Sequence, residues 1–188
     1  MRKSAFIICI LLTLLVLGGC KDKKPTAGRV LTYDTLNVTD TVADSTVYGT
    51  CGEATAMHTL HLITDAGDSI FYMMKLEEDC DVQGGLLVGD RMAVIGKETA
   101  EGKVATKVIN LTTLCGHWIS LDKNFEIIEG GTVQSNLSAE NNPWTKWKIL
   151  NGQLLLNADT FDIQMLGADS LYLENDKGIF VYQRKNEG

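Results

Sequence analysis

Two histidines, His58 and His61, stand three residues apart, the offset at which a helix offers two ligands to one metal ion. Residues 57–63 alternate loosely instead, and in a strand the same offset sends the two rings to opposite faces. No shared metal is expected there. Glu77, Glu78, Asp79 and Asp81 supply carboxylate oxygens of the kind calcium takes, but their spacing is not that of an EF-hand loop. That run reads as a solvated acidic connection. Neither a Gly-x-Ser-x-Gly elbow nor a His-Glu-x-x-His zinc motif occurs, and no carboxylate pair can be placed across a cleft. Catalytic residues are therefore assigned to none of these positions, no cofactor is expected, and the chain is read as a non-enzyme.

The tryptophans offer binding chemistry rather than catalysis. Trp144 and Trp147 are three apart, so one straight strand would point one into the core and leave the other exposed. Beside Asn141, Asn142 and Lys146, an exposed indole could stack on a sugar or a partner; the alternative is a rim residue covering the end of a barrel. Cys51, Cys80 and Cys115 have no CxxC spacing and do not resemble a zinc site. They leave two readings open, one bridge with one free thiol, or three free thiols. A Cys51–Cys80 bridge would close a loop of roughly 30 residues and contribute on the order of 3–4 kcal/mol.

Composition narrows the partners. The formal charge is −7, and loss of Arg2 and Lys3 with a cleaved leader would take it to −9. Such an acidic chain is a poor candidate for nucleic acid, since phosphate binding depends on clustered Lys and Arg.

The first twenty residues carry the address. Arg2 and Lys3 precede an apolar run over 6–17, and Leu17-Gly18-Gly19-Cys20 ends it in small residues and a cysteine. A run of about a dozen residues is short for a bilayer, which needs roughly 20. The pattern resembles a bacterial lipoprotein signal. That resemblance implies cleavage before Cys20, lipidation of Cys20, and membrane attachment through the N-terminal acyl chains. Other readings are an uncleaved membrane helix and a plain signal with an incidental Cys20. Lys21 directly after the cysteine, where aspartate favours inner-membrane retention, implies an outer-membrane or cell-surface location. Residues 1–19 are thus set aside as leader, and 20–44 read as a lipidated tether.

The remainder is strand and turn, an all-β chain of two small antiparallel barrels. Short runs rich in Val, Ile, Thr and Tyr are predicted as strands over 30–38, 47–51, 57–63, 69–76, 90–96 and 104–111, with one helical turn near 77–82. The segment 45–112 resembles a five-stranded OB-like barrel. The resemblance rests on Gly85-Leu86-Leu87-Val88-Gly89-Asp90-Arg91 leading through Met92-Ala93-Val94-Ile95 to Gly96, a Gly-Asp turn entering an apolar strand. Eight further strands are predicted over 118–121, 125–129, 132–137, 144–150, 153–158, 160–166, 170–174 and 178–184. Asn151-Gly152 marks one hairpin, and Phe161, Ile163 and Met165 alternate with polar residues.

In this second half, 115–188, Gly116-His117-Trp118 matches the Gly-x-Trp motif of lipocalins, and Arg184 after Phe180-Val181-Tyr182-Gln183 matches the arginine laid across that tryptophan. The half resembles the small lipocalin-like domain of Bacteroidota lipoproteins, as does the stretch 144–154. The resemblance implies that Gly116, Trp118 and Arg184 close the barrel where its first and last strands meet. With strands this short, the interior is either filled by side chains or holds one small ligand. The short link 111–114 implies that the two barrels pack together. The expected function is a membrane-anchored, non-enzymatic module binding a small apolar molecule or a glycan. The alternative is an envelope scaffold with a filled barrel and a protein partner.

Overall fold

The computed structural model describes residues 43–74, 80–138 and 140–185. The leader, Cys20, the tether up to residue 42, the strand predicted over 30–38, and Glu77, Glu78 and Asp79 lie outside the described residues. Among the described residues no helix is long and apolar enough to cross a membrane.

The first half forms β1 (Val47–Cys51), β2 (Thr59–Thr64), β3 (Ser69–Met73), β4 (Asp81–Gln83), β5 (Arg91–Thr99) and β6 (Gly102–Asn110). Five of these close into a ring in the order β1-β2-β3-β6-β5 and back to β1. The closing pair, Met73 with Val104, is parallel, whereas the other four contacts of the ring are antiparallel. This is the OB-like order. Leu60, Leu62, Met92, Val94 and Val108 fill the ring with almost no exposure. Gly96 sits at a register shift in β5, where an added Cβ would lie 2.7 Å from the Tyr72 ring. A glycine there lets the long strand bend around the barrel, so β5 runs on to Thr99 instead of stopping at Gly96.

Two local expectations change. Of the helical turn predicted near 77–82, Asp81 and Val82 are extended and belong to β4, which pairs in parallel with β6. The helical turn falls instead on α1 (Leu111–Leu114), in the link between the halves. Asn110 caps it. Its Oδ1 accepts from Thr113 N at 2.8 Å, and its Nδ2 donates to Gly85 O at 3.2 Å and Asp90 Oδ2 at 2.7 Å. This near-fully buried amide is thus satisfied on both atoms.

The second half is an eight-stranded meander: β7 (Gly116–Ile119), β8 (Asn124–Ile128), β9 (Thr132–Ser135), β10 (Trp147–Leu150), β11 (Gln153–Leu156), β12 (Asp159–Leu166), β13 (Ser170–Asn175) and β14 (Gly178–Arg184). All neighbours are antiparallel, and β14 returns to β7. Between β9 and β10 the wall is nearly closed by one bridge, Thr132 with Lys146, and by hydrogen bonds from Val133 N to Thr145 O and Trp147 N to Gly131 O. Asn151 and Gly152 both have positive φ, at 49° and 83°, as a two-residue hairpin turn requires. In β12, Phe161 and Ile163 point inward, but a register shift between Ile163 and Met165 turns Met165 out and brings Leu166 in.

The two barrels share one core. Ala93, Ile109, Leu111 and Leu114 belong to the same buried cluster as Trp118, Leu154 and Leu171. Polar bonds cross the same junction, from Tyr48 Oη to Ile149 O at 2.7 Å and from Leu166 N to Gln83 Oε1 at 2.8 Å. The described chain also begins here, with Ser45 N donating to Asn151 Oδ1 at 2.9 Å. The first barrel therefore plugs one end of the second, and the other end is left open. Because this core is common, urea unfolding followed by tryptophan fluorescence, which reports the second barrel, should coincide with far-ultraviolet circular dichroism in a single transition. Asn110→Ala should lower its stability by about 1–3 kcal/mol. Two separated transitions would contradict the shared core.

Candidate functional site

The seam between β14 and β7 determines where the second barrel is shut and where it is not. It is only two residue pairs long, Gln183 with Ile119 and Arg184 with Trp118, extended by Lys185 N donating to His117 O at 2.8 Å. At its plugged end the Arg184 guanidinium lies 4.2 Å from the centroid of the fully buried Trp118 ring. Its Nη1 donates to Cys115 O at 2.9 Å, Nη2 to Thr113 O and Nε to Ala168 O. The indole Nε1 donates to Leu114 O at 2.9 Å. Gly116 makes room for this arrangement. Its φ is +134°, and an added Cβ would fall on the Arg184 Nη1 atom. Gly116, Trp118 and Arg184 thus meet as one cluster.

Beyond Ile119 the seam ends, and β14 separates from the β7–β8 hairpin. A cleft of about 810 Å³ opens there, at the mouth of the barrel. Its floor is aromatic, formed by Trp144, Phe161, Phe180 and Tyr182. These rings meet edge to face: Trp144 with Phe161 at 5.8 Å, and Phe161 with Phe180 at 5.9 Å. Phe125, beneath them, stands edge-on to both Trp144 and Tyr182 at 5.1 Å. Below this layer Ile127, Ile149 and Leu154 are buried and fill the interior. The hollow is at the mouth, above a packed core.

The rim is polar and largely paired with itself. Lys123 Nζ lies 4.4 Å from the Trp144 ring centroid and pairs with Glu140, which also accepts from Ser135 Oγ. Burial would raise the Glu140 pKa, but the hydrogen bonds from Lys123 and Ser135 and the Lys123 charge outweigh it and hold the carboxyl below its ordinary value. Trp144 Nε1 donates to Asp159 Oδ2 at 3.1 Å, and Lys177 approaches Asp159 at 4.0 Å. Burial, followed by the nearby Asp122 and Glu140 charges, pushes Tyr182 up to about 12. Its hydroxyl stays protonated across the physiological range.

The sequence placed Trp144 and Trp147 on opposite faces of one strand, with one exposed. Both are buried, at 8% and 7% exposure. β10 starts at Trp147, so Trp144 lies in the loop before it and strand parity does not apply. Trp144 lines the cleft, whereas Trp147 faces the core and donates from Nε1 to Ile128 O at 2.8 Å. Asn157 holds the Trp144 loop in place. Its Oδ1 accepts from Thr145 N and Lys146 N, and its Nδ2 donates to Pro143 O. The sequence reading missed this residue and also Lys123, Asp159 and Tyr182 as parts of a site; the only local signal was an asparagine at the β11–β12 turn, where φ is 55°.

Other candidates are placed elsewhere. His61 Nε2 lies 2.8 Å from Ser69 Oγ, and its ring stacks on Phe71 at 4.6 Å. His117 is half-buried between Asn124 and Asn136. Cys51, Cys80 and Cys115 are free thiols; burial, with Glu129 adding to it, pushes Cys115 up to about 11. Among the described residues, no group of three His, Cys, Asp or Glu side chains could hold a metal ion.

No protein-family model matches the chain, and no curated protein or solved structure matches it either. The geometry of the seam gives a direct test of closure. Arg184→Ala removes the contact with the Trp118 face and three carbonyl bonds, and should lower unfolding stability by about 2 kcal/mol or more. Arg184→Lys should recover only a small part, because an ammonium cannot reproduce the planar fork. An unchanged urea midpoint in Arg184→Ala would remove Arg184 from the closure.

Proposed function

We propose that this chain is a lipid-anchored, extracytoplasmic and non-enzymatic binding module of the lipocalin-like kind, taking a small apolar molecule at the mouth of its second barrel. The observation carrying this reading is the cleft of about 810 Å³ with an aromatic floor and a paired polar rim. Its size falls within the roughly 300–1,000 Å³ of small-molecule sites. The glycan alternative loses ground on the same geometry. Sugar stacking needs an open indole face, but Trp144 carries the Lys123 ammonium over its ring and Trp147 faces the core. The lipoprotein signal ending at Cys20 supplies the anchor in this reading, and Lys21 supports an outer-membrane or surface location.

A second reading, an envelope scaffold with a protein partner, is favoured by the filled lower interior and by Leu121 and Ile179, which stand exposed at the rim. One titration separates the two. The neutral apolar fluorophore N-phenyl-1-naphthylamine should bind saturably and quench the tryptophans, and Phe180→Glu should weaken it by about tenfold, equivalent to ~1.4 kcal/mol. Absence of saturable binding would favour the scaffold. For the anchor, Cys20→Ser should move the protein from the membrane fraction to the soluble fraction. Retention in the membrane fraction would refute lipidation at that cysteine.

A further inference from the structure

One buried side chain of the cleft carries a polar group with no partner among the described residues. Tyr182 is only 2% exposed, lines the cleft, and has its ring fixed edge-on against Phe125. Its hydroxyl has no hydrogen-bond partner among the described residues, yet it is not sealed off as a buried unsatisfied atom. It therefore reaches the cleft space. Its neighbours at the mouth are already engaged: Trp144 Nε1 with Asp159, and Lys123 and Ser135 with Glu140. A buried hydroxyl seeks a partner, and the cleft that Tyr182 lines offers open volume beside it.

We infer that the ligand carries a neutral hydrogen-bond acceptor, the carbonyl of an ester, ketone or amide, placed to receive the Tyr182 hydroxyl while its apolar body lies on Phe161 and Phe180. The inference rests on the reading of the cleft as a small-molecule site. The phenol acts as donor because the proton stays on it. Lys123 and Glu140 neutralise one another at the mouth. The Asp122 charge near the same hydroxyl has no ion-pair partner among the described residues and opposes a carboxylate there. A free fatty acid is thus the wrong headgroup, and its ester is the right one.

Displacement of N-phenyl-1-naphthylamine tests this on the chain from residue 20 onward carrying Cys20→Ser. Methyl laurate, laurate and dodecane present one apolar body with an ester, a carboxylate and no headgroup. Methyl laurate should displace the probe at about tenfold lower concentration than the other two. Tyr182→Phe should bring methyl laurate to within about twofold of dodecane, each potency taken relative to the variant's own probe affinity. Asp122→Asn should improve laurate several-fold and leave dodecane unaffected, a readout that does not depend on how Tyr182→Phe folds. Equal potency of laurate with the ester would overturn the inference. Persistence of the ester preference in Tyr182→Phe, or displacement by an extended apolar peptide but not by the ester, would do so as well. If the probe fails to bind the parent chain, the small-molecule reading itself fails; if it binds but the headgroups are not ranked, only the present inference fails.

Discussion

The second barrel depends on how its last strand is fastened to its first. A meander of eight short strands gains little from any one ladder, and here the closing ladder is two residue pairs long. Arg184 compensates by acting outside the ladder. Its guanidinium covers the Trp118 face, a contact worth roughly 0.5–2 kcal/mol, and donates to carbonyls on three separate segments: the end of α1, the entry to β7, and the β12–β13 turn. One side chain thus ties the C-terminal strand to the helical turn that joins the barrels. Gly116 follows from this placement, because the space above its Cα is occupied by the guanidinium.

The position of the cleft follows from the same seam. At the plugged end the first barrel contributes Ala93, Ile109, Leu111 and Leu114 to a core that also contains Trp118. With strands of four to eight residues there is little height to fill, and two layers of side chains are enough. The upper layer is the aromatic one, and above it β14 pairs only with β13, its other edge being unpaired because β7 stops at Ile119. The cleft is therefore the unclosed part of the seam, floored by the upper layer of the core. A filled barrel and an open cleft are compatible here because they occupy different heights.

Much of the fold was legible in the sequence, for physical reasons that also explain the gaps. Period-two patterning and Gly, Asn and Asp turns marked the strands; β1 and β14 were read with the boundaries they have, and Asn151-Gly152 makes the hairpin it signals. Parity arguments failed where a strand was not regular. Met165 turned outward at a bulge, and Trp144 fell in a loop held by Asn157. Gly116, Trp118 and Arg184 were singled out by a motif resemblance, and the structure brings the three side by side. The cleft was not readable. Lys123, Asp159 and Tyr182 are ordinary residues on β-strands and turns, and only the tertiary register brings them to one rim.

The rim charges decide what kind of selectivity such a cleft can have. Lys123 with Glu140, and Lys177 with Asp159, neutralise one another at the mouth, so long-range attraction of a charged ligand is weak despite the acidic chain. Discrimination then falls to apolar area and to local hydrogen bonding on the floor. The depth is small as well, since Leu121 and Ile179 stand exposed at the edge. A molecule lying on Phe161 and Phe180 would be gripped on one side and leave its other side wet. Burying only part of an apolar surface forfeits a proportionate share of the ~25 cal/mol per Å² that full enclosure would yield. A shallow cleft of this kind is suited to exchange of its occupant rather than to permanent storage.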